Sequence, residues 1–441
     1  MHWTYETGLS SVDGMTLTSA SPPDHDTRPR AGSGAYRRTV IALVAAAVAT
    51  FAQLWSVQPI LPAIADGFGA SASQAALAVS LATGGLAGFT LVWSGAADRF
   101  GRARVIGASL LAATLLGCVI PFAADLWPLL VLRALQGAAL GGVPAAAVAY
   151  LSEEIHPADA PRATGLYIAG NPLGGMGGRL LAGFAADLGG WQWGIAANTL
   201  LALAALAVFA LVLPRRPRAP RPARAGGAPQ GSAAARDGAS PPDESGESAG
   251  VGMGARLRAA VATPGLLALY TQALLLMGAF MTVYNLLGFR LMAEPFGLSQ
   301  AAASLLFLSY TAGMLGSAVA GGATARWGGY AVLTTATAAM AAGLGGMFAT
   351  ALPGLLAALL VMTFGFFCAH ATASAWVGTR AVRGRAQAMA VYTLAYYLGS
   401  SLFGWLGGLV YDTVGWGGAV VFALGLCAAA AVAGLRLRRL R

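Results

Sequence analysis

The chain has 441 residues, of which 57% are hydrophobic and only 10% are charged. A soluble domain usually carries about a quarter charged residues, so this composition leaves too little polar surface for a water-soluble fold. The formal net charge is +10 at pH 7, but every basic residue is an arginine, and the arginines lie mainly between apolar runs and in the tails. That placement argues against nucleic-acid binding and indicates membrane topology.

Apolar runs of about 20 residues, the length of a helix that crosses a bilayer core, recur along the chain. They predict an all-α membrane protein with twelve transmembrane helices. The predicted spans are 39–62, 74–95, 105–123, 127–150, 163–186 and 193–213 in the first half, and 265–288, 300–320, 330–350, 354–376, 387–410 and 416–435 in the second.

Three polar segments flank or separate these spans. Residues 1–38 lack the apolar core of a signal peptide and are expected to form a disordered cytoplasmic tail. Residues 214–264, which contain RRPRAPRPARAGG, are rich in Pro, Gly, Ser and Arg and predict a flexible linker. Residues 436–441 form a second short tail. The spans therefore divide into six-helix bundles at 39–213 and 265–435.

Arginine counting predicts which connections face the cytoplasm. Arginines precede the first span and follow the second, fourth, sixth, eighth, tenth and last spans. The opposite connections carry mostly acids, with Arg290 as the exception. Both tails and the linker are therefore expected on the cytoplasmic side of a bacterial inner membrane. An even number of spans independently requires the two ends of the chain to share a side.

The two halves of the sequence repeat. The SQAA stretch at Ser73 recurs 226 residues later, and DLGGW is followed by DTVGW at an offset of 225. The stretch GAADRFGR recurs in weakened form as GGATARWGG, with Ala325 in the place of Asp98. Duplicated six-span halves predict two pseudo-symmetric bundles with a substrate site between them near the membrane midplane, which is a transporter architecture.

The connection after the second span, SGAADRFGRA, holds an unusual concentration of charge. By itself the cluster could satisfy helix ends and follow the arginine rule. As a whole it resembles the loop signature of the major facilitator superfamily, G-x-L-x-D-R-x-G-R-[KR], at Asp98, Arg99, Gly101 and Arg102. The resemblance implies a conformational latch that pins the two halves together on the cytoplasmic side. The departures from the pattern are Ser94, Ala96 and Ala103.

The fourth span contains RALQG, which resembles the R-x-x-Q-G motif of the same family at Arg133, Gln136 and Gly137. An arginine within a span is costly in lipid and should face a cavity or a partner. The resemblance gives Arg133 a part in proton coupling. The alternative is an arginine that extends its side chain to the membrane surface near the end of its span.

The fifth span reads GLYIAGNPLGGMGGRL and partly resembles the G-P-x-x-G-G motif of exporters in this family, with the spacing shifted by one. A proline bends a helix, and small residues allow helices to pack closely. A hinge and a packing face are both compatible with the stretch. The hinge or packing residues, including one from the fourth span, are Gly137, Gly170, Pro172, Gly174 and Gly175.

Polar side chains within the spans are candidates for a substrate cavity, although hydrogen bonding between helices is the commoner role of such a residue. His370 is the only histidine inside a span and is therefore a functional candidate. The candidate cavity residues are Gln53, Gln58, Gln136, Asn171, Gln272, Tyr284, Asn285, Tyr396 and Tyr397.

No Asp or Glu lies in the middle of any predicted span. A cationic substrate would therefore lack a counter-charge, and Arg133, Arg179 and His370 favour neutral or anionic substrates. The proton-coupling candidates are Arg133, His370 and Asp66, or else a group on the substrate. No metal site or other cofactor is expected.

The resemblance covers nearly the whole chain outside the tail and linker and is to the twelve-span, drug:proton antiporter-like branch. It implies a monomeric secondary transporter that exports a small amphipathic drug or metabolite by alternating access, coupled to protons and embedded in lipid. Uptake of a sugar-like metabolite by symport or facilitated diffusion is one alternative, and a non-transporting receptor or scaffold is another. The lack of convergent catalytic groups argues against an enzyme.

Reporter fusions test the predicted topology. Green fluorescent protein inserted within 214–264 is expected to fluoresce, and alkaline phosphatase inserted there is expected to be inactive, because the arginine-rich linker should stay in the cytoplasm. The matched control is the same pair of fusions after Asp66, where the opposite result is expected. High phosphatase activity from the linker fusion would contradict the topology.

Overall fold

The computed structural model describes residues 26–214, 262–381 and 384–440. All regular secondary structure within these ranges is helical. Residues 1–25 of the predicted tail and most of the predicted linker lie outside the described residues, as does Arg441.

The first half of the described chain builds one bundle, called the N bundle here. Its helices are α1 (Gly34–Trp55), α2 (Leu61–Phe68), α3 (Ala72–Phe100), α4 (Arg102–Val119), α5 (Leu126–Leu140), α6 (Gly142–Glu154), α7 (Ala160–Gly189) and α8 (Trp191–Val212). The pairs α1–α2 and α5–α6 each form one membrane crossing, so the N bundle has six crossings.

The second half builds the C bundle in the same way. Its helices are α9 (Leu266–Met292), α10 (Gln300–Ser304), α11 (Tyr310–Trp327), α12 (Gly329–Gly346), α13 (Leu352–Arg380) and α14 (Arg385–Gly434). A short 3-10 turn joins α10 to α11 in one crossing, and α14 contains two crossings because its backbone is not helical at Gly415. The predicted all-α fold with twelve transmembrane helices in two six-helix bundles is confirmed.

Length and hydropathy alone identify nine stretches of the described residues as able to cross a membrane. One of them, Arg385–Arg438, contains the two crossings of α14. The glycine-rich helix α7 and the short helix α12 are not among these nine stretches, and they bring the number of crossings to twelve.

The duplication of the sequence is visible in four equivalent connections between consecutive helices. Single glycines join α3 to α4, α7 to α8, α11 to α12, and the two crossings of α14. These residues, Gly101, Gly190, Gly328 and Gly415, have φ values of 96°, 81°, 82° and 76°. Such positive φ values are disfavoured for residues with a Cβ, so glycine allows each chain reversal within one residue.

The observed α1 begins at Gly34 rather than at residue 39, because Ser33 caps it: Oγ of Ser33 accepts a hydrogen bond from the backbone N–H of Tyr36. The residues just before this cap contact the loop between α6 and α7. The backbone N–H of His156 donates to the carbonyl of Pro29 at 3.1 Å. The start of α1 is thus fastened to its own bundle.

Glycines let the helices within each bundle approach closely. A Cβ at Gly174 or Gly178 of α7 would clash with the backbone of α1, and one at Gly137 of α5 would clash with Ala82 of α3. In the C bundle, a Cβ at Gly399 of α14 would clash with the carbonyl of Leu274 in α9. Because lipid supplies no hydrophobic drive between helices, such close packing is a main source of cohesion in each bundle.

Two ends of the molecule are named here by their carboxylates. The Asp98 face is the end where α3 meets α4, and α1, α7, α9 and α14 begin there. The Asp412 face is the opposite end, where α3 begins and the first crossing of α14 finishes.

Substitution of Gly174 by Ala tests the packing of α7 on α1. Gly174→Ala places a methyl group against the backbone of Val48 and is expected to destabilise the protein by about 1–3 kcal/mol, seen as a lower unfolding temperature in detergent. The matched control is Gly177→Ala in the same helix, where a Cβ meets nothing within 4 Å. That control should be neutral or slightly stabilising, and equal effects of the two substitutions would contradict the packing.

Candidate substrate cavity and the contacts that close it

A cavity of about 360 Å³ lies between the two bundles. Helices α1 and α7 of the N bundle and α9, α11, α13 and α14 of the C bundle line it. The predicted site residues that line it are Asn171, Pro172, Gly175, His370, Tyr396 and Tyr397. The structure therefore brings these six together from three helices that are distant in sequence.

The cavity extends toward the Asp98 face. Ile168 and Asn171 lie in the first half of α7, and Met389 and Thr393 lie near the start of α14, while Ser374 lies near the end of α13. All of these positions lie toward the ends of their helices at the Asp98 face. The molecule is therefore in a state that is open toward the Asp98 face.

Arg179 of α7 lies at the inner end of the cavity and is 2% exposed. Its Nε donates to Oε1 of Gln58 at 2.6 Å, and its Nη1 donates to the carbonyl of Gly175 at 2.9 Å. No carboxylate of the described residues forms an ion pair with it. A buried guanidinium satisfied only by neutral groups can still bind an anion strongly.

Aromatic rings from both bundles surround this guanidinium. Its Cζ lies 4.7 Å from the ring centroid of Trp55 in the N bundle. It lies 5.1 Å from that of Phe307 and 4.7 Å from that of Tyr310, both in the C bundle. The cation–π contacts stabilise this buried charge.

His370 of α13 forms another part of the cavity wall. Its Nδ1 lies 3.0 Å from the hydroxyl of Tyr392, which also donates to the backbone carbonyl of His370 at 3.1 Å. The imidazole centroid is 4.7 Å from that of Tyr396, whose ring contacts Tyr397 edge to face. This part of the wall is therefore aromatic, and His370 is its imidazole group.

Arg133 lies outside the cavity lining, inside the N bundle, and is 1% exposed. It donates to the backbone carbonyls of Ala78, Gln53 and Leu54 at 3.1, 3.1 and 2.7 Å. It also donates to Oε1 of Gln136 at 2.5 Å. The network connects α1, α3 and α5, so Arg133 binds three helices to one another.

The remaining predicted residues lie in other places. Gln53 accepts a hydrogen bond from Gln136 at 3.1 Å as part of the Arg133 network. Tyr284 shares hydrogen bonds with the hydroxyls of Ser309 and Thr363, and Gln272 donates to the carbonyl of Ala430 at 2.5 Å. Asp66 is exposed at the Asp412 face. The predicted polar residues therefore divide between the cavity and internal networks.

Hydrogen bonds between the bundles close the Asp412 face. The carboxylate of Asp412 caps the first turn of α3: it accepts from Oγ of Ser71 at 2.7 Å and from the backbone N–H groups of Ala72 and Ser73 at 3.1 and 3.2 Å. A carboxylate at a helix N-terminus is favoured by the unpaired N–H groups and the helix dipole.

Further contacts continue this closure toward the cavity. Nε2 of Gln300 donates to the carbonyl of Pro59 at 2.7 Å, and Oγ of Ser401 donates to the carbonyl of Ser80 at 2.7 Å. Deeper still, Nε2 of Gln58 donates to Oδ1 of Asn285 at 2.8 Å. The two bundles are thus held together on the Asp412 side of the cavity.

The loop signature at the Asp98 face makes its contacts within the N bundle. Arg102 lies 3.8 Å from Asp98, forms an ion pair with Glu153 and donates to the carbonyl of Ala149 at 3.3 Å. Arg99 lies over the ring of Phe100. In the described part of the chain this loop makes no ion pair with the C bundle.

Arg179 and Asp412 gain their importance only in the structure. The sequence marked Arg179 as a positive charge and Asp412 as a repeat landmark, but neither was among the predicted site residues. An arginine in a glycine-rich span was the signal that could have identified Arg179.

Two bundles around a cavity that opens to one face are the architecture of a membrane transporter. The family model of the Major Facilitator Superfamily matches residues 43–291 and 269–441. The chain belongs to the major facilitator superfamily, and it is a transporter rather than an enzyme. The family and the apolar helices make it a multi-pass inner-membrane protein.

Similar proteins agree with this assignment. The chain is 35% identical to the inner membrane transport protein YnfM of Escherichia coli (strain K12), with 92% of each chain covered. It is 32% identical to the uncharacterized MFS-type transporter YybF of Bacillus subtilis (strain 168), over 89% of this chain and 91% of that one.

A solved structure shows the same fold. It is a bacterial homologue of the human lysosomal transporter Spinster, in an inward-facing and unoccupied conformation. The TM-score is 0.66 at 17% sequence identity, covering 92% of this chain and 96% of that chain.

Substitution of Arg133 tests whether its network is structural. Arg133→Ala leaves three backbone carbonyls and Gln136 without their donor and is expected to reduce the free energy of unfolding by about 3 kcal/mol, seen as a lower unfolding temperature in detergent. The control is Arg326→Ala, an exposed arginine, which should change stability by less than about 0.5 kcal/mol. An Arg133→Ala protein of normal stability that fails to transport would instead assign Arg133 to the transport cycle alone.

Proposed function

We propose that the chain is a secondary transporter that exports a small amphipathic solute by alternating access, in exchange for protons. The solute is anionic or neutral, and anions are preferred. The proposal is supported mainly by the burial of Arg179 beside the cavity without a neutralising carboxylate. This guanidinium lies at the inner end of the cavity, 2% exposed, and has no carboxylate partner among the described residues.

The charge of the cavity supports an anionic substrate. Its lining contains Arg179 and His370 but no Asp or Glu. In a region of low dielectric constant the interaction between charges is strong, so an uncompensated positive charge repels cations and attracts anions. A carboxylate also matches the planar donor geometry of a guanidinium.

The shape and walls of the cavity support an amphipathic substrate. A volume of about 360 Å³ is suitable for a small solute. Phe51, Phe280, Phe367 and the tyrosines of α14 supply apolar and aromatic surface around the charged end. A solute with a carboxylate at one end and an aromatic or aliphatic body at the other would use both features.

The proposal of proton exchange depends on His370. It is the titratable group of the cavity wall whose ordinary pKa lies nearest neutrality, and it has Tyr392 as a hydrogen-bond partner. Arg133, held in its network inside the N bundle, and Asp66, exposed at the Asp412 face, remain less direct candidates.

The proposed alternating access uses the two faces in turn. In the described state the Asp412 face is closed by hydrogen bonds between the bundles, and the Asp98 loop makes its contacts within the N bundle. We propose that Asp98, Arg99, Gly101 and Arg102 latch the bundles together when the Asp98 face closes. Export then follows loading from the Asp98 face, which the arginine pattern predicts to face the cytoplasm.

Ligand stabilisation of the purified protein tests the anion site. Benzoate is expected to raise the unfolding temperature, whereas benzamide, its neutral isostere, is not, because a ligand stabilises the state it binds and only benzoate neutralises Arg179. Arg179→Gln should reduce benzoate affinity by about 10- to 100-fold, the effect of losing a charged hydrogen bond. The control Arg326→Ala changes an exposed arginine far from the cavity and should leave the affinity unchanged.

Proteoliposomes then test transport. Benzoic acid itself crosses bilayers and accumulates on the alkaline side, so transport is measured as the accumulation of labelled benzoate in excess of that in protein-free liposomes under the same pH gradient. His370→Ala should reduce this excess while leaving counterflow of the label. Equal stabilisation by benzoate and benzamide, or robust transport of quaternary ammonium dyes, would contradict the anionic site. Benzoate accumulation unaffected by the pH gradient would contradict proton exchange.

A further inference from the structure

Gln58 lies where the cavity ends and the closed Asp412 side begins. Its Oε1 accepts from Nε of Arg179 at 2.6 Å, and its Nε2 donates to Oδ1 of Asn285 at 2.8 Å. Arg179 belongs to the N bundle and Asn285 to the C bundle, and both are fully buried, as is Gln58 at 1% exposure. One amide therefore joins the proposed anion site to a hydrogen bond between the bundles.

The two hydrogen bonds of Gln58 depend on each other. The bond from Arg179 has a charged donor, and such bonds are about twice as strong as neutral ones. This bond fixes the orientation of the amide, and the orientation directs Nε2 toward Asn285. When Arg179 no longer donates to Gln58, the amide loses the interaction that aims it across the bundle interface.

An anion in the cavity would compete for the same guanidinium. It approaches from the cavity side, where Arg179 is part of the lining, and its charge makes it a better acceptor than the neutral amide oxygen of Gln58. Neutralisation of the guanidinium also weakens any bond that remains to Gln58. Binding of the anion therefore acts directly on the contact that orients Gln58.

We propose that Gln58 is a positioning residue through which an anion bound at Arg179 releases the closed Asp412 face. The inference deepens the proposed function and rests on it. Without an anion, Arg179 holds Gln58 on Asn285 and the face stays closed. With an anion, this bridge weakens, so one interaction fewer opposes opening, in addition to the outer contacts of Asp412, Gln300 and Ser401 that opening has to break.

The side chain of Asn285 is held by few hydrogen bonds other than the one from Gln58. Nδ2 of Asn285 is buried and has no hydrogen-bond partner among the described residues. An unsatisfied buried donor disfavours the state in which it occurs. The bridge is therefore ready to break once Gln58 is no longer oriented by Arg179.

Distances across the Asp412 face test the proposal. Asp187→Cys and Ala293→Cys place spin labels on exposed positions of the N and C bundles, in a protein whose Cys118, Cys368 and Cys427 have been replaced by Ser. In double electron–electron resonance, benzoate is expected to add a longer-distance population, and benzamide is not. The unliganded protein should show mainly the short distance of the closed face.

Substitutions of Gln58 test the proposed coupling from Arg179 through Gln58 to Asn285, called the relay, separately from anion binding itself. Gln58→Ala should show the longer-distance population without any ligand. It should also bind benzoate several-fold more tightly, because the acceptor that competes for Arg179 is gone and the coupling between the two sites is reciprocal. Gln58→Glu should act as a permanently bound anion: the face opens without ligand, and benzoate affinity falls at least tenfold. The changes in affinity report competition at Arg179, and the distances measured with and without benzoate report the coupling to the Asp412 face.

Asn198→Ala is the matched control, because this buried amide donates only to carbonyls of the N bundle, Gly178 and Gly194, and should leave the distances unchanged. If benzoate binds and depends on Arg179, but neither benzoate nor Gln58→Ala changes the distances, the relay is overturned and the anion site stands. If benzoate does not stabilise the wild-type protein, the proposed function fails, and this inference fails with it.

Discussion

The positive charge of Arg179 within the membrane is the constraint on which the rest of the site depends. A buried guanidinium is costly in lipid unless dipoles, rings or anions stabilise it. Here the amide of Gln58, the carbonyl of Gly175 and the rings of Trp55 and Tyr310 do so, and these groups come from both bundles. Since none of them is an anion, the guanidinium keeps its attraction for a charged ligand. The same contacts place it where movement of the bundles changes its surroundings.

Packing within a bundle differs from packing between the bundles. Inside each bundle, glycines such as Gly174 and Gly137 let backbones touch, and such surfaces cannot slide without losing many contacts at once. Between the bundles, the Asp412 face is held by directional hydrogen bonds, including the cap by Asp412 and the Gln58–Asn285 bridge, and by close contacts of Gly183 with Ser304 and of Gly408 with Ser73. A small number of polar bonds can break and reform as a group. The structure is therefore suited to rocking of two stiff bundles about a central cavity.

The sequence predicted part of the cavity and missed another part for a physical reason. Asn171, His370 and Tyr396 were identified because polar and aromatic residues within spans are scarce, and all three line the cavity. Gln272 shared the same property but donates to a carbonyl of α14 outside the central cavity. In helices that are apolar on all sides, periodicity does not tell which face meets a neighbour and which meets a cavity. The sequence identified Arg179 as a positive charge, but its contacts with aromatic rings could be recognised only from the fold.

The sequence by itself determined the class of the protein. Long apolar runs require helices because lipid offers no partner for a backbone N–H group, and the repeated landmarks required two similar bundles. Only the tertiary structure decided that Gln58 joins Arg179 to Asn285 and that Asp412 caps α3. These contacts join residues far apart in the sequence, and they depend on the rotation of each helix and the tilt of one bundle against the other. No local pattern of residues encodes those quantities.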